Sequence, residues 1–86
     1  MYTVVFTKQA EKDKKLLKQA GLEAKAKSLL NIIAENPFQT PPPYEKLVGD
    51  LHGYCSRRLN RQHRIVYAVF EAERVVRIHR MWTHYE

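Results

Sequence analysis

Residues 47–69, LVGDLHGYCSRRLNRQHRIVYAV, decide the fold of this chain. Gly49 and Gly53 bound a tight loop. Beyond it, Tyr54 to Leu59 reads as a strand, Asn60-Arg61-Gln62 as a turn, and His63 to Phe70 as the longest strand. Ile65, Tyr67 and Val69 alternate with Val66, Ala68 and Phe70, so both faces beyond Arg64 are apolar and this strand belongs in the middle of a sheet. Glu71-Ala72-Glu73 supplies the next reversal and Arg74 to Met81 the last strand, with Trp82 to Glu86 as a tail that continues it. Three consecutive strands joined by short turns make an antiparallel meander.

Upstream of that stretch, Tyr2 to Phe6 is rich in β-branched and aromatic residues and predicts a short first strand. Thr7 then offers a hydroxyl to cap a helix from about Lys8 to Gln19. That helix carries a narrow apolar stripe, Ala10, Leu16, Leu17 and Ala20, among lysines 8, 12, 14, 15 and 18; such a charge run is first a solvated face. Gly21 ends it in the left-handed region. A second helix, Leu22 to Glu35, places Leu22, Ala26, Leu29, Leu30 and Ile33 on one face. Asn36-Pro37 stops it. Pro41-Pro42-Pro43 forms a stiff connector that returns to the sheet and fixes the position of Glu45. The expected fold is α+β: strand, helical hairpin, antiparallel meander, with two helices on one face of a mostly antiparallel sheet. The opposite face is left free to bind. A single domain over residues 1–86 is expected from the length.

Hydrophobic residues at 44% and charged residues at 28% suit a folded chain with one core. The net charge of +6 favours a polyanionic partner. One cysteine, Cys55, excludes an internal disulfide and fits a reducing, cytoplasmic setting. No leader or membrane span is expected. His52, His63, His79 and His84 lack the spacing of a metal site, and no GxGxxG or Walker loop occurs, so neither a metal nor a cofactor is expected. Cys55 reads as a small core residue rather than a nucleophile.

Arg57, Arg58, Arg61 and Arg64 crowd into eight residues that include His63 and are flanked by Tyr54 and Tyr67. Guanidinium groups grip phosphate and aromatic rings stack on bases, a mixture suited to single-stranded RNA. Alternation separates Arg57 from Arg58, so only one of them faces the free side. Metal-free RNA cleavage needs a base for the 2′-hydroxyl, an acid for the leaving 5′-oxygen and a cation at phosphorus. Glu45, His84 and Arg64 are residues of those types. Spacing alone does not bring them together, and a surface carboxylate and a bystander histidine are the alternatives.

The run LVGDLHGYCSRRLNRQHRIVYAV, followed by the terminal His84-Tyr85, closely resembles the YoeB/Txe toxins of bacterial toxin–antitoxin systems, within the RelE/ParE superfamily. The likeness spans nearly the whole chain and rests on SRR, HR-hydrophobic-VY and the terminal HY taken together. It implies a RelE-like fold and an endoribonuclease that cuts mRNA in the ribosomal decoding site, leaving 2′,3′-cyclic phosphate and 5′-hydroxyl ends without metal or cofactor. By the same resemblance Glu45 is the general base, Arg64 the phosphate-stabilising arginine and His84 the general acid, with Tyr85 helping to place substrate. Arg58 is implied as a further phosphate contact and Arg57 as a weaker one. The partners implied are mRNA and the ribosome, a cognate antitoxin, and a second copy of the chain in a homodimer. The chain departs from the family where Val48 replaces a basic residue, leaving Lys46 as the nearby RNA contact. It also has His52 for Ser and Cys55 for Trp, and Glu86 follows the His-Tyr pair. ParE-type toxins of the superfamily, which inhibit DNA gyrase, lack the Glu/Arg/His set. A basic RNA-binding module without catalysis is the other alternative.

Overall fold

The computed structural model describes residues 1–82. In it the chain runs β1 (Thr3–Phe6), α1 (Lys8–Gln19), α2 (Glu23–Glu35), β2 (Glu45–Lys46), β3 (Tyr54–Arg58), β4 (Arg64–Phe70) and β5 (Val75–Arg80). Thr7 caps α1 as expected: its backbone is extended and its Oγ1 accepts the Ala10 N–H at 3.1 Å. Gly21, at φ +76°, closes the helix. Its N–H donates to the Lys18 carbonyl and the Leu22 N–H to the Leu17 carbonyl, the paired bonds of a Schellman stop. Only there does the left-handed geometry let α2 fold back at once. No helix among the described residues is long and apolar enough to cross a membrane.

The buried stripe of α1 differs from the expected one. Ala10, Asp13 and Leu17 are buried, while Leu16 is 37% exposed and Ala20 is exposed. Positions 10, 13 and 17 follow the three- and four-residue spacing of one helical face, and a carboxylate occupies the middle of it. In α2 the expected face is buried at Ala26, Leu29 and Ile33, with Leu22 and Leu30 packed at its margin.

Five strands form one sheet in the order β1-β5-β4-β3-β2. The meander is present: β3 pairs antiparallel with β4, and β4 with β5, so β4 is central. Asn60 shapes the β3–β4 turn by accepting the Gln62 and His63 N–H groups on Oδ1. Two pairings were not foreseen. β1 lies parallel to β5, with Thr3 opposite Val75, which makes the sheet mixed. The two-residue β2 adds an edge to β3, with Glu45 opposite Ser56 and Lys46 opposite Cys55.

One face of the sheet carries Cys55, Ile65, Tyr67, Val76 and Ile78 against Ala10, Leu17, Ala26, Leu29 and Ile33 of the two helices. Leu47, Val66 and Ala68 are also buried but stand outside that core. Between its pairings with Val66 and Tyr67, β5 spends three residues, Ile78 to Arg80, where β4 spends two. This bulge lets Arg80 turn toward α1, where its Nε donates to Asp13 Oδ2 at 3.0 Å.

Candidate active site

Directly paired residues share a face of a sheet. Arg58 lies opposite Arg64, and Ser56 lies opposite Glu45, so all four side chains belong to the face away from the helices. Arg64 and Glu45 meet there across three strands, with Nη1 of the arginine 2.9 Å from Oε1 of the glutamate. The same Nη1 stands 3.4 Å from Ser56 Oγ. Ser56 is small enough for the arginine to cross β3 above it; its own signal in the sequence was its position two residues before Arg58. The Arg64 side chain is 23% exposed and that of Glu45 68% exposed, so the guanidinium is recessed and the carboxylate is open to a ligand. A pair this exposed contributes roughly 0–1 kcal/mol and is easily exchanged for a stronger anion.

The far end of the chain approaches the same place. The Arg64 N–H donates to the Trp82 carbonyl at 3.0 Å, and the His63 ring stacks on the Trp82 indole with centroids 4.1 Å apart and planes 17° apart. His84 and Tyr85, the expected acid and its neighbour, lie outside the described residues, as does Glu86. Further along the free face Arg77 Nη2 donates to the Tyr54 hydroxyl at 3.2 Å, and His79 packs on the Tyr54 ring at 5.1 Å. Burial, followed by the charges of Arg80 and Arg77, lowers the His79 pKa.

Arg58 is exposed beside Arg64 on the free face. Arg57 is buried on the opposite face, which corrects its expected role as a weaker phosphate contact. It is 1% exposed and spends four of its N–H groups inside the protein. Nε donates to the Tyr67 hydroxyl at 3.0 Å, Nη1 to the Pro42 carbonyl at 2.6 Å, and Nη2 to the Pro37 and Gln39 carbonyls at 2.9 and 2.8 Å. The Tyr67 hydroxyl in turn donates to the Pro37 carbonyl at 2.7 Å, and burial pushes its pKa up to about 12. Arg57 is thus the peg on which the proline connector hangs, and the connector leads straight into Glu45.

Lys46 is exposed, but the strand alternation that brings Glu45 to the free face sends Lys46 to the other. There it borders a cleft of about 300 Å³ with Phe38, His52 and Cys55, which separates it from the Glu45–Arg64 pair and corrects its grouping with Arg58. Cys55 is buried, and burial raises its pKa, so it is a protonated thiol of the core. Val48 is 82% exposed.

Comparison with known proteins places the chain in a family and matches its fold. Residues 6–85 match the family described as YoeB-like toxin of bacterial type II toxin-antitoxin system. The chain is 41% identical over 66 residues to Toxin YoeB of Synechocystis, covering 77% of this chain and 70% of that protein. Among solved structures, the YoeB/ParE toxin from Agrobacterium tumefaciens superposes with a TM-score of 0.87 at 28% identity, covering 96% of this chain and 99% of that one. The toxin of the YoeB-YefM complex from Staphylococcus aureus gives 0.81 at 33% identity, covering 99% of both chains. With the family match spanning nearly the whole sequence and the RelE/YoeB-like fold beneath it, the chain belongs to the YoeB-like toxins of bacterial type II toxin–antitoxin systems.

Proposed function

We propose that the toxin is a ribosome-dependent mRNA endoribonuclease whose reaction centres on Glu45, Arg64 and His84. The observation that carries this reading is the Glu45–Arg64 pair, a carboxylate and a guanidinium 2.9 Å apart on the uncovered face of the sheet. An incoming phosphodiester takes over the Arg64 guanidinium, which matches its oxygens with paired donors, and frees the Glu45 carboxylate. Glu45 accepts the proton of the 2′-hydroxyl while that oxygen attacks phosphorus. The bond from phosphorus to O5′ breaks, and His84 gives its proton to the departing oxygen. The products are a 2′,3′-cyclic phosphate and a 5′-hydroxyl. Arg64, with Arg58 beside it, meets the charge that builds on the phosphoryl oxygens. Tyr85 lies next to the acid in sequence and helps place the substrate.

The nucleophile is part of the substrate, so the enzyme's task is orientation, and the ribosome holds the message in a defined geometry. The Trp82 carbonyl sits on the Arg64 N–H, and His84 comes two positions after Trp82 in the sequence. A cognate antitoxin is the protein partner, in line with the YoeB-YefM complex solved for the Staphylococcus aureus relative, and charge complementarity with the basic free face favours an acidic segment of it there. A second copy of the chain is a further partner, in line with the dimer solved for the same relative. The site of action is then the cytoplasm.

Ribosomes programmed with a defined message test the reading. The parent toxin is expected to cut the message within the decoding site, and Glu45→Gln and Arg64→Ala to slow cutting by about 100-fold or more. An uncut message with the parent, or cutting by both variants at the parent's rate, contradicts it.

A further inference from the structure

Asp13 is an unusual residue for its place. It sits on the buried stripe of α1 between Ala10 and Leu17, with no exposed surface, where an apolar side chain would serve the core. A buried carboxylate is tolerated only when charge and hydrogen bonds surround it. Asp13 Oδ2 accepts from Arg80 Nε and from the Met81 backbone N–H, both at 3.0 Å, and Oδ1 accepts from Gln9 Nε2 at 3.1 Å. Two of these bonds end on consecutive residues at the close of β5, just where the bulge has turned Arg80 inward. The next residue, Trp82, is held from the other side by the Arg64 N–H and the His63 ring.

Residues 80–82 are therefore gripped from α1 and from the start of β4 at once, and His63-Arg64 belongs to the candidate site itself. We propose that Asp13 is a positioning residue for catalysis: it fixes the end of β5 and, through Trp82, the His63-Arg64 segment from which the Arg64 guanidinium reaches Glu45. The proposal rests on the nuclease reading above. Asp13 touches no substrate and acts through the Met81 backbone and the Arg80 side chain. A bond to a backbone N–H sets the path of the main chain whatever the neighbouring side chains do. Small errors in the placement of a catalytic group have large effects on rate, of the order of 100-fold for about 1 Å.

Asp13→Asn and Asp13→Leu test this, the second keeping an apolar side chain of similar size in the core. Cutting of ribosome-bound message is measured as kcat and KM. In parallel, acrylamide quenching of the single tryptophan, Trp82, reports on the grip without reference to activity. The expected result for Asp13→Asn is a fall in kcat of about 10- to 100-fold with KM within about twofold, together with stronger quenching of Trp82 at unchanged far-UV circular dichroism. Asp13→Leu is expected to lose kcat at least as far even where its melting temperature matches the parent. Parental kcat in Asp13→Asn overturns the proposal alone, as does a fall in kcat with Trp82 quenching unchanged. A parent that cuts nothing, or a His84→Ala variant that cuts like the parent, overturns the nuclease reading and the proposal with it.

Discussion

Replacing Arg57 by Leu strips the Pro37, Gln39 and Pro42 carbonyls and the Tyr67 hydroxyl of a charged donor in a buried setting. Unfolding by urea is expected to show a loss of about 2–4 kcal/mol, since unpaired buried acceptors keep their full desolvation cost. Arg58→Ala, one residue along and on the exposed face, is expected to stay within about 0.5 kcal/mol of the parent while weakening RNA binding. The pair of arginines was legible as a pair, and alternation showed that one must turn inward. Which one did not follow from the sequence, because the deciding partners lie in the proline connector about fifteen to twenty residues earlier. Asp13 was missed for a related reason. A polar residue in a lysine-rich helix reads as solvated, and only the register of positions 10, 13 and 17 gives its burial away. His79 supplies a pH dependence. Its folded pKa is lowered, so the unfolded chain binds the proton more readily, and the associated stability is fully present above the unfolded value near 6.5 and declines as pH falls below it. Melting temperatures measured from pH 7.5 to 5.5 should fall more for the parent than for His79→Gln; parallel curves would contradict this assignment.

At the scale of elements, Thr7 joins α1 to β5. Its Oγ1 accepts from Ala10 N–H and donates to the His79 carbonyl at 2.9 Å, so one hydroxyl both caps the helix and ties it to the strand. Thr7→Val, similar in shape, is expected to cost about 1–2 kcal/mol in denaturant titration, and Thr7→Ser clearly less. A loss in Thr7→Ser as large as that in Thr7→Val, or no loss in Thr7→Val, would contradict the role given to the hydroxyl. The helices, their stops and the three meander strands were readable because each depends on local pattern: a cap, a glycine, a proline, an alternation. The parallel docking of β1 on β5 was not, since residue 3 meets residue 75 and no local signal names a strand's partner. The two-residue β2 is too short to carry a period, yet it sets Glu45 on one face and Lys46 on the other. A segment that looked like a loop thus decides which of two neighbouring charges reaches the site.

Across the whole molecule, the candidate site is assembled from distant parts of the chain. Glu45 enters on an edge strand positioned by the proline connector and its Arg57 peg. Arg58 and Arg64 come from the central hairpin, and the end of β5 is drawn alongside by Asp13, Arg64 and His63. The helices cover one face and leave the other open, and the net charge of +6 suits the polyanionic substrate proposed for it. The central claim is that this face cuts RNA by attack of the 2′-hydroxyl, and the chemistry of the cut ends tests it most directly. Message recovered from ribosomes after exposure to the parent toxin should carry 5′-hydroxyl ends that a polynucleotide kinase labels without prior phosphatase, facing 2′,3′-cyclic phosphates upstream, and Arg64→Ala should yield almost none. Ends bearing a 5′-phosphate, or message that remains whole, would contradict it.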